Sequence, residues 1–131
     1  MGARTAEAIV AWVDDIKRFS SVRKVADYFG LTTCLDQSAG AARYGHIPTR
    51  SVGPTSDPDG SGTREGPAVV RRLVVEAAHQ GVRRSATIGA YCERIMHGDP
   101  GRKKIAIVAT AHYLVRVMAA MLRTGEVWRD K

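Results

Sequence analysis

Residues 102–123 read RKKIAIVATAHYLVRVMAAMLR and form a long, mainly apolar segment. At about 1.5 Å per residue, this segment predicts a helix roughly 30 Å long. Apolar residues occur on nearly every side of it between Ile105 and Leu122, which is typical of a helix enclosed by others. A membrane span has a similar composition, but His112 and Arg116 in the middle disfavour that interpretation. We therefore expect a central core helix, with His112 as a satisfied core histidine and with no membrane partner.

Four shorter segments with helical periodicity precede this helix. Pro67 suits the first position of the third helix, Ser85 can cap the fourth, and Gly30 and Gly81 are expected to end the second and third. In the first segment, Val10 is assigned to the buried face. The predicted fold is mainly α with about five helices, over residues 3–13, 21–29, 67–80, 86–97 and 102–123.

The length of 131 residues fits a single domain spanning 1–131. Residues 48–62 are dominated by Pro, Gly, Ser and Asp and have no apolar period, so a flexible loop is expected there. Ahead of it, residues 31–35 and 43–47 have modest β-propensity. They are expected to form two short extended arms of a small hairpin around a surface loop that carries Ser38.

The net charge of +7 is unevenly distributed along the chain. Residues 1–70 contain eight Lys and Arg against eight Asp and Glu, whereas residues 71–131 contain twelve against five. A basic surface predicts a polyanionic partner whose binding weakens with salt. The alternative is a solvated surface that keeps a small domain soluble.

The two cysteines, Cys34 and Cys92, are far apart, and no Cys or His has the spacing of metal ligands. We expect ordinary thiols in a reducing cytoplasm, and neither a metal site nor a cofactor in this chain. The polar N-terminus does not resemble a signal peptide.

Residues 34–47 read CLDQSAGAARYGHI and place a serine among small residues. Ala39 and Gly40 leave the hydroxyl of Ser38 open to a large substrate, and the guanidinium of Arg43 matches the oxygens of a phosphate. On chemistry alone, a serine in such a loop is far more often a turn residue.

The order Ser-Ala-Gly, Arg and Gly-His-Ile in residues 38–47 is followed by REGPAVVRRLVVEAA in residues 64–78. Together with the tail over residues 99–126, this order resembles the C-terminal domain of the IS110 and IS116 insertion-sequence transposases. Residues 2–6 also resemble the second half of a helix-hairpin-helix signature. The resemblance spans nearly the whole chain except residues 48–62, which are therefore interpreted as an insertion.

The resemblance implies that Ser38 is the nucleophile that attacks a DNA backbone phosphate during strand exchange. It also implies a separate N-terminal resolvase-like domain, expected to be absent here, whose four acidic residues bind a divalent metal such as Mg²⁺. The implied partners are DNA and a structured guide RNA, with a homo-oligomer formed by the full-length family members. The implied location is the cytoplasm, at the nucleoid.

Two groups of candidate site residues follow from the sequence and the resemblance. Gly40, Tyr44, Gly45 and His46 are expected to orient the serine loop. The candidates for nucleic-acid contacts are Arg43, Arg71, Arg72, Arg83, Arg84, Arg102, Lys103 and Lys104.

A second hypothesis also fits the sequence. The chain could be a catalytically inactive remnant that binds nucleic acid, or a helical interaction module that docks through its last helix. The insertion favours this hypothesis, as does His79, which stands where similar transposases usually carry tryptophan. Arg23 and Lys24 are interpreted as solvated cations.

Overall fold

Five α-helices and one short hairpin make up this computed structural model, which describes residues 2–32, 35–38, 41–44 and 68–129. The expected mainly α fold is confirmed, and the segment at 48–62 lies outside the described residues. Short 3₁₀ turns at Ile16–Arg18 and Pro100–Arg102 precede the second and fifth helices. The elements are α1 (Ala3–Val13), α2 (Val22–Tyr28), β1 (Leu35–Ser38), β2 (Ala41–Tyr44), α3 (Ala68–Arg84), α4 (Ala86–Met96) and α5 (Lys103–Thr124).

The helix α5 is the centre of the packing, as its apolar sequence predicts. It contacts α2, α3 and α4, and its buried polar residue Thr110 is satisfied because its Oγ1 donates to the carbonyl oxygen of Ala106 at 2.7 Å. By length and composition the stretch Pro100–Thr124 would also suffice for a membrane span. The core helix of a packed domain has the same composition. The buried residues of α5 are Ala106, Ile107, Thr110, Ala111, Val115, Met118 and Ala119.

The other helices bury the apolar faces that their periodicity predicts, with one exception. Ile9 and Val13 of α1 and Val25 and Phe29 at α2 are almost fully buried. Val10, which was assigned to the buried face of α1, is 52% exposed instead. The core therefore contacts a narrower stripe of α1 than the sequence indicates.

The helix α3 does not end at Gly81, as the glycine signal predicted, but continues to Arg84. The physical reason is contact with α4, since a Cβ at Gly81 would lie 3.2 Å from Cδ1 of Ile88. The missing side chain therefore makes room for a neighbouring helix. Ser85 alone joins the two helices, and its Oγ accepts a hydrogen bond from the backbone N–H of Ile88 at 3.3 Å, as expected of an N-cap.

The hairpin lies at different residues from those predicted for its two arms. Its strands are Leu35–Ser38 and Ala41–Tyr44, paired antiparallel, rather than residues 31–35 and 43–47. The first arm cannot begin at Leu31, because that residue completes the C-terminal cap of α2. Gly30 adopts a φ of 67°, as predicted, and the N–H of Leu31 donates to the carbonyl oxygen of Ala26 at 3.1 Å.

Candidate nucleic-acid interface and serine hairpin

The hairpin fixes the backbone position of Ser38 at the end of β1. Ser38 pairs with Ala41, so only two residues, 39 and 40, connect the strands, and Ser38 is the last paired position rather than the middle of a long loop. The pairing of Asp36 with Arg43 lies two positions further along. At about 3.3 Å per residue, Arg43 is therefore displaced roughly 7 Å along the ladder from the Ser38 pair.

The predicted loop-orienting residues are described only in part. Tyr44 pairs with Leu35 at the end of the hairpin furthest from Ser38. Gly40, Gly45 and His46 lie outside the described residues, so their assignment stays a prediction.

The end of α2 is anchored in the core shortly before the hairpin begins. Phe29 and Leu31 are both buried, which anchors the chain just before β1. Leu35 follows Leu31 by four residues, so β1 begins within about 14 Å of that anchor.

The four candidate arginines of α3 form two separate pairs rather than one cluster. Arg72 and Arg83 are both exposed, and their spacing of eleven residues corresponds to about 16 Å along the helix. Arg71 and Arg84 adjoin them at either end. The helix therefore offers cations at both of its ends, and a single phosphate cannot contact all four.

Arg71 differs from the other three because its side chain is partly buried. Its Nη1 is buried and has no hydrogen-bond partner within the described part of the chain. A buried donor without a partner costs about 1–3 kcal/mol.

Arg102, Lys103 and Lys104 lie together where α5 begins, and all three are exposed. The first turn of α5 contains no acidic residue, so these cations lie at the positive end of the helix dipole, where positive charge is unfavourable. Asp99 precedes them, and its Oδ1 accepts a hydrogen bond from the N–H of Gly101 at 2.8 Å. An anion bound here would relieve an unfavourable arrangement of charge.

Other cations contribute to the fold, which sequence analysis did not foresee. The Nη2 of Arg18 donates to the carbonyl oxygen of Trp12 at 3.0 Å, while its guanidinium carbon lies 4.8 Å from the ring centre of Phe19 and 5.0 Å from that of Tyr28. The side chain of Arg18 thereby joins the end of α1 to α2. No sequence signal marks such a role, because it depends on how the fold brings Trp12, Phe19 and Tyr28 together.

His112 lies partly buried on α5, on the side where α2 packs. Burial lowers the pKa of His112 below its ordinary value of 6.5, the charges of Arg116 and Arg23 lower it further, and Asp27 opposes them. Burial and the neighbouring cations therefore favour the neutral form of this imidazole, compared with that of an exposed histidine. This environment differs from the satisfied core position that was expected for His112.

An open apolar groove separates α1 from the end of α5. Ile9, Val10, Met118 and Leu122 are among its lining residues, and Val10 and Leu122 are 52% and 42% exposed. If the chain is a helical interaction module that docks through α5, this groove is the surface that its partner would contact.

The residues that could ligate a metal do not come together in the described ranges. Across residues 2–32 and 68–129, no three His, Cys, Asp or Glu side chains are arranged to hold a metal ion. Cys92 is a buried free thiol, and the side chain of Cys34 lies outside the described residues. The cofactor prediction concerned another domain and stays a prediction.

The helix-hairpin-helix resemblance concerns the start of α1. Gly2 occupies the N-cap position, and its carbonyl oxygen accepts hydrogen bonds from the N–H groups of Thr5 and Ala6. The helix thus begins directly after the glycine, as the second helix of such a motif does. A role of this turn in DNA binding stays a prediction.

Comparison with protein families links the first part of the chain to transposases. Residues 1–55 match the model of the family described as Transposase IS116/IS110/IS902. The matched range contains α1, α2 and both strands of the serine hairpin. Searches of curated proteins and of solved structures found no match. The match supports a relationship to this transposase family, while the resemblance noted for residues 63–126 stays a prediction.

Proposed function

We propose that this chain acts in DNA transposition, with Ser38 as the nucleophile for strand exchange. The observation that carries the proposal is the transposase match over residues 1–55, which includes the hairpin. The register of that hairpin sets Ser38 beside a connection of two residues, at the end of a strand pair. A backbone phosphate can approach such a position more easily than one in the middle of a sheet.

The proposed chemistry is a transfer of a DNA phosphoryl group to serine. Ser38 Oγ attacks a backbone phosphorus and loses its proton, a phosphoserine ester forms, and the departing sugar hydroxyl takes up a proton. The guanidinium of Arg43 neutralises charge on the phosphate oxygens. The resemblance assigns the divalent metal that would activate the hydroxyl to a resolvase-like domain. The purified chain is therefore expected not to exchange strands by itself.

The cations of α3 and α5 are proposed to hold the DNA backbone. Arg72, Arg83 and Arg84 of α3 support this role because their side chains are exposed. The cations at the start of α5 support it because no acidic residue in the first turn compensates them. The proposed backbone contacts are Arg43, Arg71, Arg72, Arg83, Arg84, Arg102, Lys103 and Lys104.

Further partners are proposed from the resemblance alone. They are a structured guide RNA and further copies of the chain in an oligomer, acting at the nucleoid in the cytoplasm. A guide RNA presents the same backbone phosphates as DNA, so the basic surfaces would accept either polymer.

The experiment that tests the catalytic proposal traps the covalent intermediate. The chain is incubated with labelled duplex DNA, Mg²⁺ and a resolvase-like domain of the matching family supplied in trans. Wild-type protein is expected to give a protein–DNA adduct that survives denaturation, and Ser38→Ala is expected to give none. If Ser38→Ala gave as much adduct as wild type, the nucleophile would be a residue other than Ser38.

A nucleic-acid-binding protein without catalytic activity is the second candidate. The distribution of cations favours it, because α3 and the start of α5 carry exposed cations outside the serine hairpin and would bind a polyanion without it. This candidate predicts that Ser38→Ala binds DNA like wild type and that neither protein forms an adduct.

A further inference from the structure

The contact between α2 and α5 brings together charged residues from distant parts of the sequence. Arg23 and Asp27 belong to α2, whereas His112 and Arg116 belong to α5. The two helices pack against each other, and the charges of the other three residues act on the imidazole of His112. We call these four residues the α2–α5 seam. It contains two permanent cations and one anion.

The seam is open to solvent and continues along α5. Arg23 and Arg116 are exposed, and His112 is partly buried. Arg116 follows His112 by four residues and Arg123 follows Arg116 by seven, which places the three on one stripe of the helix. The Nη2 of Arg123 donates to the carbonyl oxygen of Phe19 at 3.4 Å, so the stripe ends beside the turn that precedes α2.

The length of this stripe suits a nucleic-acid strand. From His112 to Arg123 it covers eleven residues, or about 16 Å. One strand of duplex DNA rises about 3.4 Å per nucleotide, so the stripe spans roughly five nucleotides.

The serine hairpin follows the helix α2 of the seam in sequence. The helix that carries Arg23 ends at Tyr28, and Leu31 is fixed to it by the hydrogen bond to Ala26. Leu35, the first residue of β1, follows Leu31 by four residues, so at most about 14 Å of chain joins the end of α2 to the hairpin. The arginines of α3 have no such direct connection along the chain to the hairpin.

We propose that the α2–α5 seam binds the phosphodiester backbone of DNA. The proposal rests on the function proposed above and adds a binding surface to it. Arg23 and Arg116 supply the charge, an N–H of the His112 imidazole supplies a hydrogen bond, and Asp27 opposes binding. Arg23 and His112 had been set aside on sequence grounds as a solvated cation and a core residue.

The test is fluorescence anisotropy of the full chain with labelled duplex DNA across a NaCl series, with a stem-loop RNA as a parallel arm. The seam variant is Arg23→Gln combined with Arg116→Gln. Its control, Arg94→Gln with Arg129→Gln, removes the same charge at two residues outside the seam. Arg94 lies over the Tyr91 ring of α4 at 5.2 Å, and Arg129 follows Trp128, whose ring contacts Tyr113.

The seam variant is expected to lower DNA affinity more than tenfold and to reduce the salt slope by about two, at roughly 0.9 per phosphate contact. The control is expected to change affinity by less than about threefold, because distant charges are screened. Asp27→Asn is expected to raise the affinity for DNA several-fold. Unfolding of the variant would not produce such an increase. Circular dichroism verifies that all variants are folded.

Equal effects of the seam variant and its control, or unchanged affinity in Asp27→Asn, would overturn the proposal. A loss confined to the RNA arm would overturn the assignment to DNA and identify the bound phosphates as those of RNA. If wild-type protein bound neither polymer, the function proposed above would fail together with the seam. If Arg71→Gln with Arg72→Gln abolished binding while the seam variant did not, the seam alone would fail.

Discussion

Individual side chains decide how this small domain is held together, and arginine shows this most clearly. Arg18 is exposed, yet its guanidinium donates to Trp12 and lies over the rings of Phe19 and Tyr28. A planar guanidinium can make these contacts together, whereas the ammonium of lysine is a compact, strongly hydrated charge. The cations of this chain therefore divide into those used by the fold and those left for a partner.

Replacing Arg18 by lysine is expected to destabilise the protein by about 1 kcal/mol, because exposed cation–π contacts contribute roughly 0.5–1 kcal/mol. Urea unfolding followed by circular dichroism measures the change. Lys17→Ala is the matched control. Lys17 is the exposed neighbour of Arg18, and the structure describes no partner for its side chain. The stability of this variant should therefore stay within about 0.5 kcal/mol of that of wild type. If Arg18→Lys were as stable as wild type, the contacts of the Arg18 guanidinium would not contribute to the stability of the fold.

His112 is expected to make stability depend on pH. Because its folded pKa lies below the ordinary value of 6.5, the unfolded chain binds this proton more readily than the folded one. The stability is thus complete above about pH 6.5 and declines as the pH falls through the window below it.

The comparison for this prediction is His112→Gln, which cannot titrate. Urea unfolding of both proteins between pH 5 and pH 8, at fixed salt, should show the wild type losing stability relative to the variant as the pH falls. A stability difference that stays constant across this range would show that His112 has the same pKa in the folded and unfolded chains.

At the scale of helices and strands, α3 and α4 illustrate what local signals can and cannot predict. Ser85 caps α4 as its sequence indicates, because capping involves only neighbouring residues. Gly81 was predicted to end α3, but its role is set by Ile88 across the helix interface. The hairpin arms were misplaced because Leu31 is used by the cap of α2. A periodicity pattern does not show which elements will contact each other. It also does not show which of two neighbouring elements will include a residue that both could use.

Gly89→Ala tests the close approach of these helices. A Cβ at Gly89 would lie 3.2 Å from the carbonyl oxygen of Val82, which is backbone and cannot turn away. Overpacking costs about 1–3 kcal/mol, which exceeds the gain of roughly 1 kcal/mol from better helix propensity. We therefore expect a net loss of about 1 kcal/mol in thermal or urea unfolding.

Gly81→Ala is the natural comparison for Gly89→Ala. Its added Cβ would meet the side chain of Ile88, which can shift, so the variant should be less destabilised than Gly89→Ala. If Gly89→Ala were more stable than wild type, helix propensity would outweigh the contact and the approach of α3 to α4 would be looser than described.

At the scale of the whole molecule, the sequence indicates the excess of positive charge but not its arrangement. The net charge of +7 predicts a polyanionic partner. However, Arg123 contacts Phe19 across 104 positions of sequence, and Arg23 and Arg116 both act on His112 because α2 packs on α5. The candidate nucleophile was found through resemblance, whereas its place at the end of a strand depends on a register that sequence did not predict.

The central claim is that Ser38 becomes covalently linked to DNA, and mass spectrometry of the trapped adduct tests it most directly. Tryptic digestion after Lys24 and Arg43 releases residues 25–43, and fragmentation of this peptide locates the attached nucleotide. We predict that the nucleotide is bound to Ser38 and not to Tyr28 or Thr32 of the same peptide. Attachment to another residue, or no adduct from wild-type protein with Mg²⁺ and the resolvase-like domain present, would contradict the account.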